Sequence, residues 1–255
     1  EIHLPLSDSP VPLKNNRNMN SFLDLFSSRG YSEVITFSFL PKDSQNIFIS
    51  NKSKIDILNP ISEDKSEMRM TMMYGLLKAA KYNISRQNTN IKFYEIGKIY
   101  KKQQSKRISE ERILAGLISG INYDSNLKQL QNMLNFYDLK GDLISIFPDL
   151  SFKSSNNLSY LSSLCQASIK QGKKTIGFCG EPSLEVYKKF NIKNKMFYFE
   201  IATDLLNLNH SVTYKPISVF PKVQRDLTML IDDEISGDDI IDAVQRKSFN
   251  YMINI

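Results

Sequence analysis

Residues 92–120 read KFYEIGKIYKKQQSKRISEERILAGLISG. Two apolar-rich runs, 92–100 and 113–120, flank a polar tip, the pattern of two antiparallel strands joined by a hairpin. Further strand-like runs follow: CQASIK, then TIGFCG after the turn QGKK, then MFYFEIA at 196–202. Mostly sequential strands of this kind, with helices between them, predict an α+β fold on an antiparallel sheet.

Upstream of the pair, Met19, Phe22, Leu23 and Phe26 fall at i, i+3, i+4 and i+7, and Gly30 follows. This spacing predicts an amphipathic helix over 17–29 with a glycine stop. Ile35, Phe37 and Phe39 then alternate with Thr36, Ser38 and Leu40 up to Pro41, the period of a strand. A short strand is expected at 55–58 and a second helix from about Met68 to Ser85, with Met72, Met73, Leu76, Leu77 and Ala80 buried. A third helix is expected from Phe136 to Phe147, and SSNNLSYLSS reads as a loop.

The 255 residues carry 41% hydrophobic and 24% charged side chains, an ordinary globular balance. No apolar run reaches the roughly 18 residues a membrane span needs. Two cysteines and two histidines cannot supply a disulfide framework or a zinc constellation, so a reducing cytoplasm is the expected compartment. From Lys78 to Arg107 nine Lys and Arg stand against the single acid Glu95, whereas Asp226 to Asp242 holds seven acids. The basic stretch reads as a solvated face and hairpin tip, with RNA contact by Lys101, Lys102, Lys106 and Arg107 as the competing reading.

Several blocks together carry a resemblance: GYSEVITFSF, NPIS, MRMTMMYGLL with Asn83 and Arg86, FYEIGKIY, LAGLISG, NFYDLKGDL, GFCGEPSLEVYKKF and FPKVQRDLTMLID. In this order and spacing they resemble the bacterial phenylalanine–tRNA ligase beta subunit over residues 17–255. The resemblance implies a class II aminoacyl-tRNA synthetase-like antiparallel sheet flanked by helices, followed by a truncated ferredoxin-like βα segment. It also implies three parts: a linker over 1–16 from an upstream domain, a non-catalytic core over 17–211, and a partial anticodon-binding domain over 212–255. That last part is expected to supply one strand, 226–232, and one helix, about 237–247, half of a split βαβ fold.

What the resemblance implies for function is equally specific. The family's enzyme is an alpha2/beta2 heterotetramer that joins phenylalanine to tRNA(Phe) with ATP, the chemistry residing in the alpha subunit. The beta subunit's magnesium-associated domain would lie upstream of this chain, so no cofactor or metal is expected here. The helix 17–29 and the strand after it occupy the class II interface motif, which marks Phe22, Leu23 and Phe26 as subunit-interface candidates. Lys222 and Arg225, at the entry to the last domain's first strand, are the candidate tRNA contacts. A free-standing RNA-binding or regulatory paralogue is the alternative.

The residues themselves speak against catalysis. Adenylate formation needs cations aimed at the phosphates. The strand FYEIGKIY offers Glu95 and Lys98 without arginine, and Glu181 in GFCGEP stands where a nucleotide site would want one. No catalytic residue is therefore assigned. Arg69 is expected to form a local ion pair near Asp64 and Glu67, and Asp138, Lys140 and Asp142 to be solvated or interfacial. Cys165 and Cys179 read as small core residues, the Met68, Met70, Met72 and Met73 cluster as adaptable packing, and His3 and His210 carry no recognisable chemistry.

Overall fold

The computed structural model describes residues 19–48, 54–102, 107–121, 132–207, 225–232, 235 and 237–246. The chain divides into two compact units, 1–211 and 212–255. The first opens with α1 (Met19–Ser28), β1 (Ser32–Glu33), β2 (Phe39–Leu40), β3 (Glu67–Met68) and α2 (Met73–Ile84). The hairpin β4 (Ile91–Lys102) and β5 (Ile108–Ser119) follows, then α3 (Phe136–Ile146), β6 (Leu150–Ser154), β7 (Leu161–Gln171), β8 (Lys174–Pro182), α4 (Leu184–Phe190) and β9 (Met196–Ala202).

Among the described residues, seven strands form one sheet in the order β1-β4-β5-β9-β8-β7-β6, with β1 parallel to β4 and every other pair antiparallel. The predicted hairpin is its centre, running from Ile91 opposite Ser119 to Lys102 opposite Ile108. β9 inserts beside β5, so the strand latest in sequence lies mid-sheet and is buried almost throughout. This explains why MFYFEIA is apolar at nearly every position.

Side-chain parity sends β9 to two cores. Phe197, Phe199 and Ile201 join Leu114 and Ile118 beneath α1 and α3, where Phe22, Phe26, Leu139 and Leu143 pack. Met196 and Tyr198 join Leu117, Phe93 and Ile113 beneath α2 and α4, where Met72, Met73, Leu76, Leu77 and Val186 pack. The methionine cluster is packing, with Met70, Met72 and Met73 buried.

α2 begins at Met73, later than the pattern suggested, because the preceding residues have other partners. Glu67 and Met68 pair with Leu40 and Phe39, and Thr71 Oγ1 and the Met72 amide both donate to Glu200 Oε1, at 2.6 and 2.7 Å. Tyr198 donates its hydroxyl to the same oxygen. Glu200 thus fastens the start of α2 to the sheet from a fully enclosed position, and burial raises its pKa despite the three donors, which favour the charged form.

Other expectations need correction. The strand through residues 35–39 is split: β1 precedes it, only Phe39 and Leu40 pair, and of 55–58 only Asp56 bridges, to Glu67. β6 lies just ahead of the expected loop and β7 starts at its Leu161, the bulge after that residue being held by Gln166 side-chain bonds to Leu158 and to the Ser162 carbonyl. α4 had no predicted counterpart. In the second unit, α5 (Gly237–Arg246) forms, but 225–232 pair with no strand among the described residues.

Two stability predictions follow from these anchors. Asn135 Oδ1 accepts from the Tyr137 and Asp138 amides, and Asp138 Oδ2 accepts from the Asn135 amide, a reciprocal cap on α3. Asn135→Ala should cost about 1 kcal/mol, read as a lower urea midpoint at unchanged slope. For Glu200, a raised folded pKa means the folded state binds the extra proton. Its contribution is complete below the ordinary value of 4.5 and is lost as pH rises through the folded value. Melting temperature followed from pH 4.5 to neutrality should therefore decline less in Glu200→Gln, which keeps an accepting oxygen, than in the parent; parallel curves would assign the slope to other groups.

Candidate functional site

The stretch after β1 keeps the predicted alternation but turns it inside out. Ile35 is 91% and Phe37 68% exposed, while Thr36 and Ser38 are half-buried and Leu40 is buried. Leu58 and Ile61 are 100% and 90% exposed in the turn after Asp56, the residue that bridges to Glu67. The Lys65 ammonium lies 4.4 Å from the Phe37 ring centroid. Ile35, Phe37, Leu58 and Ile61 are thus large apolar side chains turned to solvent on two neighbouring segments, which are tied together by the Asp56 bridge and the Phe39–Met68 pairing.

Behind the row lies a buried ion pair. Arg69 Nη1 donates to Glu95 Oε1 at 2.8 Å, with both side chains at least 95% buried. Arg69 Nε donates to the Lys98 carbonyl at 2.8 Å, and Nη1 also reaches Thr36 Oγ1 at 3.0 Å. The Thr36 hydroxyl donates in turn to Glu95 Oε2 at 2.7 Å. Arg69 therefore pairs with Glu95 across the fold, and the expected local pair with Asp64 or Glu67 does not form: Glu67 accepts from Lys54 and the Asp43 amide. The crowding explains two glycines. A Cβ on Gly97 would collide with Arg69 Nη2, and one on Gly75 with Thr36 Oγ1. Glycine inside a strand and inside a helix was the available sequence signal of this close approach, and neither Thr36 nor the Arg69–Glu95 pairing was picked out from it.

The interface candidates on α1 are placed differently from expectation. Phe22 stacks on Phe147 at 5.0 Å between centroids, and Phe26 sits among Tyr31, Tyr94 and Phe199. Both rings are spent on this chain's own core and Leu23 packs partly against it, so the two phenylalanines have no area left for a partner. Of the tRNA candidates, Arg225 is exposed and Lys222 lies outside the described residues.

A cleft of about 660 Å³ opens between the end of α1, the start of β4 and α3, lined by Arg29, Asn90, Lys92, Asp138 and Asp142 among others. Asp142, expected to be solvated or interfacial, is buried there: Arg29 and Lys92 each approach it to 3.1 Å and the Tyr31 hydroxyl donates to it at 3.1 Å. Burial, then the nearby Asp142 charge, raise the Tyr31 pKa well above the usual phenol value. Both cations are committed to a carboxylate, so the cleft is not prepared for an anion.

Part of the basic stretch is engaged in the same way, while Lys102 and Arg107 are exposed. Lys98 pairs with Glu110 at 2.7 Å, Lys101 with Glu111 at 2.9 Å, and Lys81 donates to the Asn191 carbonyl at 2.7 Å. Lys106 lies outside the described residues. Glu181 is met by Lys195 at 3.4 Å and by the Tyr187 hydroxyl at 3.5 Å. Cys179 is buried, with its thiol pushed up to about 12 by desolvation, and Cys165 is half-buried and also raised by burial. Desolvation disfavours the thiolate at both. No described helix is long and apolar enough to cross a membrane.

Comparison with known proteins agrees with this architecture. A solved pyrrolysyl tRNA synthetase of Desulfitobacterium hafniense shares the fold with a TM-score of 0.54 at 11% identity, over 73% of this chain and 65% of that one. The phenylalanine–tRNA ligase beta subunit of Buchnera aphidicola subsp. Schizaphis graminum is 33% identical over 264 residues, covering 96% of this chain and 33% of the relative. That of Legionella pneumophila (strain Paris) is 33% identical over 220 residues, covering 83% and 27%. The chain thus spans about a third of the length of the curated relatives it matches. The family model described as phenylalanyl tRNA synthetase beta chain CLM domain matches residues 8–203, and the chain belongs to that family.

Proposed function

We propose that this chain is the non-catalytic core of a phenylalanine–tRNA ligase beta subunit, and that it supports assembly with the alpha subunit that charges tRNA(Phe) using ATP and phenylalanine. The outward apolar row Ile35–Phe37, with Leu58 and Ile61, carries the reading. Relatives named beta subunits imply at least one further chain, and these side chains offer it exposed apolar surface. An alpha2/beta2 assembly satisfies that need twice over.

What fills the core supports reading it as inactive. The sheet face beneath α2 and α4 is occupied by Met72, Met73, Phe93, Leu117, Met196 and Tyr198. Its buried titratable groups include Glu200, Glu95 and Arg69, and the arginine is bound to Glu95. A nucleotide's phosphates would meet a packed face whose buried arginine is already paired. Residues 212–255 are read as part of the anticodon-binding domain, with Lys222 and Arg225 near the tRNA backbone, and the magnesium-associated domain as a part of the longer protein. The ion pairs made by Lys92, Lys98 and Lys101 weigh against a free-standing RNA-binding protein built on the basic stretch.

Mixing this chain with the alpha subunit of the same source should give a stoichiometric complex by light scattering. Phenylalanine-dependent ATP–pyrophosphate exchange should be absent from this chain alone. Ile35→Ser combined with Phe37→Ser should weaken the complex by at least about 100-fold, because covering each side chain is worth roughly 1.5–3 kcal/mol. A monomeric chain that ignores the alpha subunit, or exchange activity by the chain alone, would overturn the proposal.

A further inference from the structure

The outward direction of the apolar row is not what burial alone would select. Residues 35–37 make no backbone-to-backbone hydrogen bond among the described residues: the flanking ones are the Val34 amide to the Tyr94 carbonyl at 2.9 Å and the Arg69 amide to the Ser38 carbonyl at 2.8 Å. With no ladder to hold it, a segment of period two can slip by one residue and exchange its faces. A slip would turn Ile35 and Phe37 inward and Thr36 outward, which hydrophobic burial in the isolated chain favours.

Side-chain bonds stand where the ladder is missing. The Thr36 hydroxyl donates to Glu95 Oε2 at 2.7 Å and accepts from Arg69 Nη1 at 3.0 Å, and the Thr36 carbonyl accepts from the same nitrogen at 3.4 Å. Arg69 and Glu95 are fixed in turn by each other at 2.8 Å and by the Lys98 carbonyl on β4. Gly75 on α2 leaves the room that the Thr36 side chain occupies. If Thr36 turned outward, two buried charges would each lose a hydrogen-bond partner.

We propose that Thr36, Arg69 and Glu95 are positioning residues for subunit docking: their buried network locks residues 35–38 with Thr36 inward and so presents Ile35 and Phe37 to the alpha subunit. This rests on the docking role proposed above. None of the three side chains touches the partner. Thr36 and the ion pair act through the direction they impose on the row.

The experiment compares Thr36→Val, Thr36→Ser, Arg69→Lys and the Ile35→Ser/Phe37→Ser double variant in this chain. Valine keeps the shape of threonine but removes both hydroxyl bonds, and serine keeps the bonds. Lysine keeps the charge but cannot serve Glu95, Thr36 and the Lys98 carbonyl at once. Each protein is measured for alpha-subunit affinity, melting temperature and amide exchange over 34–38. Thr36→Val and Arg69→Lys should weaken docking at least tenfold and speed exchange over 34–38. The main melting transition should persist in Thr36→Val, and Thr36→Ser should bind within a few-fold of the parent. Parent-like docking by Thr36→Val and Arg69→Lys, while the double variant loses it, would overturn the positioning role and leave the docking surface standing. Parent-like docking by the double variant would remove the docking surface and the positioning role with it. Weakened docking by Thr36→Val at parent exchange rates over 34–38 would also overturn the lock.

Discussion

The ion pair between Arg69 and Glu95 is the joint on which the first unit turns. A charge enclosed this completely is tolerated only when paired and bonded, and here the guanidinium serves the β4 backbone, Thr36 and Glu95 together. Four pieces of chain meet on it: the segment after β1, β4 itself, the approach to α2, and through Gly75 the helix. Removing one partner of such a pair costs about 3–5 kcal/mol, a large part of the roughly 5–15 kcal/mol that stabilises a domain. An apolar pair of similar volume would hold the same pieces together at less desolvation cost. What it would lack is a hydroxyl-directed grip on the residue between Ile35 and Phe37.

The same economy shapes the sheet. Because helices cover both faces, β9 and β5 must bury side chains of both parities, and the two cores leave little of either face open. The polar groups that remain are structural. Glu200 uses one carboxyl oxygen to fix the Met72 amide, the Thr71 hydroxyl and the Tyr198 hydroxyl, which anchors the start of α2 to the middle of the sheet. A sheet whose central polar groups are consumed in holding their own helices is suited to presenting a surface.

Much of this was legible because local pattern and tertiary role coincided. The β4–β5 hairpin, β7, β8, β9, α1 and α3 were visible since each alternates or repeats toward a core that the chain itself supplies. Other features depended on distant partners. Asp142 lies on α3 but is buried by Arg29, Tyr31 and Lys92 from other elements, and Arg69 found Glu95 and not its sequence neighbours. α2 was drawn too long because no local signal shows that Thr71 and Met72 will be claimed by Glu200. β6 was overlooked because LSFKS is a short edge strand with one buried residue, too brief to show a period.

Phe22 and Phe26 proved to be core residues of this chain for a more general reason. Periodicity reports which residues share a face but carries no label for which face is inward. Phe22 and Phe26 on α1, and Ile35 and Phe37 after it, have equally good apolar spacing, yet the first two are enclosed and the second two exposed. What separates them is the opposite face. The turn of α1 away from its core carries Asp24 and Ser27, which water satisfies, whereas the inner side of the later segment carries Thr36, whose hydroxyl is consumed by a buried acid and a buried arginine. A polar residue bonded inside and apolar neighbours left outside mean that the chain orients this segment against its own hydrophobic preference. In the positioning role proposed above, the buried network holds that inversion against the hydrophobic preference, and covering of the row by the alpha subunit would turn the cost into a net gain.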